Sequence, residues 1–67
     1  MNVELACCTS TLLREISDSS LKRKDIAMTY RLAMASSESV DWESVNKAII
    51  ERWSLSGLDY IKKLAWK

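Results

Sequence analysis

The near absence of proline and glycine is the strongest constraint on how this 67-residue chain folds, since it has no proline and one glycine. These residues supply most tight turns and hairpins, and a sheet-rich chain of this length would need several. Alanine, leucine, lysine, arginine, glutamate and methionine, which are good helix formers, are plentiful. The sequence predicts an all-α fold: a single helical domain over residues 1–67, built as a compact bundle of three to four short helices.

Apolar residues recur at helical spacing in four segments, and polar residues suited to capping precede the later ones. The first segment runs from about Val3 to Ser17. Cys8, Leu12 and Ile16 lie on its apolar side, and Cys7 is expected to be exposed or peripheral. The third segment begins at the N-cap Asp41. Its inward residues are expected to be Trp42, Val45, Ile49 and Trp53. A polar break at 54–57 separates it from a fourth segment, whose inward residues are expected to be Leu58, Ile61 and Ala65.

The second segment has two apolar stripes instead of one. It is predicted to begin at Asp18-Ser19-Ser20 and to run to about Ala35. One stripe consists of Ile26, Ala27, Tyr30, Ala33 and Met34, and the other of Leu21, Met28, Leu32 and Ala35. A helix that is apolar on two faces is usually buried on both. Either this helix runs through the middle of the bundle, or its second face meets a partner.

Several kinds of chemistry are unsupported by the sequence. It has no histidine, which is the commonest general base and zinc ligand. The adjacent Cys7 and Cys8 are poorly placed to bond each other and are too few for a zinc site. No nucleophile–base pair or glycine-rich loop is present. We therefore expect no enzyme activity, cofactor or metal. The lack of a disulfide framework, a secretory signal and a long apolar run predicts an intracellular, cytoplasmic protein that does not enter membranes.

A local excess of positive charge gives the less favoured of two functional hypotheses. The formal net charge is only +1, but Lys22, Arg23, Lys24 and Arg31 cluster in the second segment and could contact phosphates. A helix-turn-helix does not fit, because the helix is too long and the serine-rich turn lacks glycine. The aromatic residues also do not interleave with the basic ones, which argues against base stacking. Under this hypothesis, the protein is a small nucleic-acid-binding regulator.

The favoured hypothesis is a small non-enzymatic module for protein–protein interaction or regulation. It would associate with itself as a homodimer or bind a larger protein partner. It is motivated by the two-striped second helix, the small core, and a tryptophan off the apolar stripe near the end of the chain. Methionine suits an adaptable contact surface. The predicted partner-binding residues are Leu21, Met28, Leu32 and Trp66.

Overall fold

The described part of the chain forms three helices: α1 (Cys8–Ile16), α2 (Arg23–Ala35) and α3 (Trp42–Ala65). The structure is a computed structural model that describes residues 8–36 and 39–66, and it contains no strand within those ranges. α3 is kinked at Ser54, where φ is 76° and ψ is 176°. It therefore consists of a first segment, residues 42–53, and a second segment, residues 55–65. The predicted all-α bundle of short helices is confirmed.

Contacts at the two ends of α1 show how it lies against α3. The backbone N–H of Asp41 donates to the Thr9 hydroxyl at 3.0 Å, near the start of both helices. At the other end, the Arg52 guanidinium donates to the Ile16 carbonyl at 2.8 Å. α1 and the first segment of α3 consequently run side by side in the same direction.

α2 runs opposite to the first segment of α3 and in the same direction as the second. The Tyr30 hydroxyl donates to the Asn46 side chain at 2.8 Å, so the later part of α2 lies beside the start of α3. The Arg23 guanidinium lies 4.8 Å from the centre of the Tyr60 ring. Further along, Met28 and Leu64 line a common cleft. These contacts require the chain to reverse at Ser54.

The core is formed by the apolar stripes that the sequence predicts. Its buried members come from all three helices: Leu12, Ile16, Ile26, Ala27, Tyr30, Ala33, Val45, Ile49, Leu58, Ile61 and Ala65. Trp42, Trp53 and Cys8 are partly buried and pack against these residues. The inward assignments of Cys8 and of both tryptophans are thus confirmed. The predicted first turns of the first segment, including Cys7, and parts of the serine-rich connection lie outside the described residues.

The predicted start of the second helix was wrong. The Asp18 carboxylate accepts hydrogen bonds from both the backbone N–H and the hydroxyl of Ser20, at 2.9 and 2.7 Å. These bonds form a local turn instead of a helix cap. α2 begins at Arg23, with Asp25 accepting from the Lys22 N–H at 2.8 Å. Leu21 therefore precedes the helix and is not on its outer face.

The predicted polar break between the third and fourth segments is also shorter than expected. Within α3 only Ser54 leaves helical backbone angles, so residues 55–57 belong to the second segment and not to a break. Gly57 permits this sharp reversal, because a Cβ atom at that position would collide with the Cβ of Trp53. The glycine is required by close approach of the two segments.

Candidate functional site

The outer face of α2 carries two large apolar side chains that nothing in the described structure covers. Met28 is 68% exposed and Leu32 is 69% exposed. They are four residues apart, so they lie on the same side of the helix, one turn from each other. Isolated exposed apolar residues are ordinary in soluble proteins, whereas adjoining ones suggest a contact surface.

Two adjoining clefts connect these side chains with the end of α3. The first, of about 300 Å³, is lined by Lys24, Ala27, Met28, Arg31 and Leu64. The second, of about 380 Å³, is lined by Met28, Arg31 and Leu32. Both clefts share Met28 and Arg31, so they form one continuous surface. We call it the Met28–Leu32 face; it comprises Lys24, Ala27, Met28, Arg31, Leu32 and Leu64.

The structure brings together only part of the predicted partner-binding set. Met28 and Leu32 adjoin as expected. Leu21, in contrast, is partly buried and packs against the core, and its carbonyl accepts from Arg52 at 2.8 Å. Trp66 is 75% exposed at the C-cap of α3, two residues beyond Leu64, but it does not line either cleft. Leu64 was not predicted, because only the fold places it beside α2.

On a second surface, most of the basic cluster lies beside two aromatic rings. Lys22, Arg23, Lys24, Trp53 and Tyr60 line a cleft of about 280 Å³, which we call the basic–aromatic cleft. The Arg23 guanidinium lies over the Tyr60 ring, a cation–π contact. Arg31, the fourth predicted cation, lies instead on the Met28–Leu32 face.

The aromatic members of this cleft are remote from the cations in the sequence. Trp53 and Tyr60 lie 30 to 38 residues beyond Lys22 and Arg23 in the sequence. The end of the first segment of α3 places Trp53 at the start of α2, and the reversal at Ser54 brings Tyr60 to the same cleft. Aromatic and basic residues do not alternate along the sequence, but they lie together on the folded surface. No local sequence signal would have found this proximity.

The ionisable groups whose pKa values are shifted take part in turn, cap and core contacts of the fold. Hydrogen bonds from the hydroxyl and backbone N–H of Ser20 lower the pKa of Asp18. Ser44 lowers the pKa of Asp41 in the same way at the start of α3, which confirms Asp41 as the N-cap. Burial raises the pKa of Tyr30, whose hydroxyl donates to the Asn46 side-chain oxygen. These positions lie outside the linings of the clefts described above.

Nowhere in residues 8–36 and 39–66 do three or more cysteine, aspartate or glutamate side chains gather closely enough to hold a metal ion. Within the same ranges, every helix is too short or too polar to cross a membrane.

Comparison of the chain with protein-family models, with curated proteins and with solved structures finds no match. The surface chemistry of the bundle is therefore the basis for a functional proposal.

Proposed function

We propose that this protein is a small non-enzymatic interaction module that binds another protein chain through the Met28–Leu32 face. The observation that carries the proposal is the exposure of Met28 and Leu32, at 68% and 69%, over two adjoining clefts. Exposed side chains usually contribute little to stability, so folding alone does not account for the apolar character of these two residues. Burial against a partner would remove them from water and would favour binding by about 25 cal/mol for each Å² of apolar surface buried.

The packing of α2 supports this assignment. Its inward stripe is satisfied by the core, with Ile26 and Tyr30 buried. Its other stripe was ambiguous in the sequence, because a neighbouring helix could have covered it. The second segment of α3 lies beside α2 and only flanks this stripe through Leu64. Met28 and Leu32 are left facing outward, and methionine adapts readily to a contact surface.

Site-specific photo-crosslinking provides the test. A photoreactive side chain at position 32 is expected to give discrete crosslinked products in the cells that express the protein. The matched control is position 55, since Leu55 is also leucine and is 62% exposed but lies outside both clefts. Products at position 32 that disappear in a Met28→Asp variant support the proposal. Equal labelling at both positions, or none at position 32, contradicts it.

Trp66 is proposed as a second contact at the end of the bundle. Its side chain is 75% exposed, and tryptophan is enriched among residues that dominate binding. Trp66→Ala should weaken association by about 2 kcal/mol if the partner extends past Leu64. Unfolding should be unchanged, because the ring is outside the core. An unaltered binding isotherm would remove Trp66 from the interface without affecting the assignment of the Met28–Leu32 face.

A second candidate function, nucleic-acid binding, is favoured by one specific observation. The basic–aromatic cleft combines three cations with two aromatic rings, and single-stranded nucleic acids bind to such combinations by phosphate contacts and base stacking. Both rings already contact arginines, Arg23 on Tyr60 and Arg52 on Trp53, which reduces the ring surface available for bases. We therefore place this function second.

Salt dependence distinguishes the second candidate. Binding of a fluorescent single-stranded oligonucleotide should weaken steeply between low and physiological salt, because phosphate contacts release counterions. A Lys22→Glu, Lys24→Glu variant should abolish that binding. No measurable complex at low salt, or one that is insensitive to both salt and the variant, would exclude the basic–aromatic cleft as a nucleic-acid site.

A further inference from the structure

We infer that the partner of the Met28–Leu32 face is an amphipathic helix carrying carboxylates, supplied by a protein other than this one. This inference rests on the proposed function and adds the chemistry of the partner. It follows from the shape of the face, from the charges at its edges and from what two copies of that face would do to each other.

The shape suits a helix lying in a groove. α2 and the second segment of α3 run in the same direction, with Met28, Ala27 and Leu64 along the depression between them. Leu32 extends the apolar surface by a further turn through the adjoining cleft. From Lys24 to Leu32 the groove is about 12 Å long at the helical rise. It would hold two successive apolar anchors of a partner helix, spaced by three or four residues.

The charges at the edges are all of one sign. Lys24 and Arg31 line the clefts, and no carboxylate does so among the described residues. Neither cation has an ion pair or hydrogen bond with another residue in the part of the chain that the structure describes. The nearby Asp25 is occupied in accepting from the Lys22 N–H. Lys24 and Arg31 are both exposed, so their charged groups can meet carboxylates of a partner, and complementary charge raises association rate and specificity.

The same charges argue against a second copy as the occupant. Pairing of two identical faces about a twofold axis would bring both cationic edges into one interface. Like charges that meet at a partly desolvated interface are unfavourable. A partner helix whose apolar face is flanked by glutamates or aspartates would contact both the apolar side chains of the groove and the cations at its edges.

The experiment is an NMR titration of the ¹⁵N-labelled full chain with two synthetic amphipathic peptides of about three to four helical turns. The peptides share one leucine pattern and differ only in their flanking residues, which are glutamates in one and lysines in the other. The glutamate peptide is expected to shift the amide signals of Met28, Arg31, Leu32 and Leu64. It should bind at least about tenfold more tightly than the lysine peptide.

Two charge-reversal variants separate local contact from overall charge. Lys24→Glu, Arg31→Glu should reverse the preference between the two peptides. Lys62→Glu, Lys63→Glu is the matched control, because both lysines are exposed and neither lines the clefts. This control should retain the preference for the glutamate peptide. A preference that both variants reverse equally would indicate net charge alone and overturn the inference.

Other outcomes would also overturn the inference. Equal binding of both peptides at the face, or binding of neither while crosslinking at position 32 persists, would refute the acidic helix and leave the proposed function standing. Concentration-dependent shifts at the same residues without peptide would assign the face to a second copy. Tighter, salt-sensitive binding of an oligonucleotide at these residues would assign it to nucleic acid. Failure of the crosslinking itself would instead refute the proposed function.

Discussion

Ser54 adopts a backbone conformation that is unfavourable for any residue with a side chain. Its φ of 76° and ψ of 176° belong to a region that is essentially restricted to glycine and costs about 1–3 kcal/mol. The bond between the hydroxyls of Ser54 and Ser56, at 3.1 Å, is exposed and offsets little of this strain. The strain is maintained because the reversal lets the second segment of α3 bury Leu58 and Ile61 in the core.

Ser54→Gly should therefore raise the free energy of unfolding by about 1 kcal/mol, after allowance for the greater entropy of glycine in the unfolded chain. Urea denaturation followed by circular dichroism measures the change. The control is Ser56→Gly, two residues further on and in helical conformation, which should lower stability by about 0.5–1 kcal/mol. A loss of stability in both variants would show that Ser54 is not strained.

Gly57 presents the opposite case. In an ordinary exposed helix, alanine in place of glycine stabilises by about 1 kcal/mol. Here an added Cβ would meet the Trp53 side chain, and Gly57 itself is buried. Gly57→Ala should consequently destabilise by about 1–3 kcal/mol, as overpacking usually does. Near-ultraviolet circular dichroism should report a changed tryptophan environment in the same variant. An increase in the denaturation midpoint would contradict the close approach at the kink.

Tyr30 should make stability depend on alkaline pH. Burial raises its pKa above the usual 10.0, so the folded state binds the phenolic proton more tightly than the unfolded state. This contribution is complete below pH 10.0 and is lost as pH rises from there through the folded pKa. Tyr30→Phe lacks the titration and should lose less stability over that window, although it lacks the Asn46 bond at every pH. Parallel pH profiles for the two proteins would disprove the assignment.

At the scale of elements, Arg52 joins the α1–α2 connection to α3. Its guanidinium donates to the carbonyls of Ile16, Asp18, Ser19 and Leu21 at 2.8–3.4 Å and also lies 4.1 Å from the centre of the Trp53 ring. This forked set of bonds depends on the planar guanidinium and cannot be reproduced by an ammonium group.

Arg52→Lys is therefore expected to destabilise the bundle by about 2 kcal/mol, because hydrogen bonds from charged donors contribute about 1.5–3 kcal/mol each and lysine retains only some of them. Thermal unfolding monitored by circular dichroism would measure the loss. Lys47→Arg, at an exposed position in the same segment of α3, is the control and should be neutral. Equal midpoints for the wild type and Arg52→Lys would show that the carbonyl contacts contribute nothing.

The elements also show what sequence patterns can and cannot predict. Helical periodicity identified the buried faces, since each stripe must meet the core whatever the topology; Leu12, Tyr30 and Ile61 illustrate this. Helix starts were less predictable. Asp18 has the right chemistry for a cap, but its bonds to Ser20 close a turn and delay α2 to Arg23. Local side-chain bonds compete with capping, and tertiary contacts select between them.

Across the whole molecule, the candidate surfaces depend on the chain reversal at Ser54. Wheel geometry placed Met28 and Leu32 on one side of a helix, but it could not show whether another helix would cover them. It likewise could not place Leu64 beside Met28, or Trp53 and Tyr60 beside the basic cluster. These are contacts between residues distant in the sequence, and they arise from packing of α2 against both segments of α3.

Folding and the proposed function should be separable by substitution, because they use different sides of α2. A chain of 67 residues has roughly 3–10 kcal/mol of stability at typical values per residue. Ile61→Ala, at a fully buried position, should remove about 2–5 kcal/mol and leave the protein near its unfolding limit. Met28→Ala and Leu32→Ala should each change stability by less than about 0.5 kcal/mol, as exposed positions usually do. Urea denaturation of the three variants measures these changes. Partner binding should be lost without loss of stability in the exposed pair, whereas in Ile61→Ala it should fall only as far as the protein unfolds. If the exposed pair unfolds as readily as Ile61→Ala, both residues stabilise the fold, and their exposure no longer supports a docking surface.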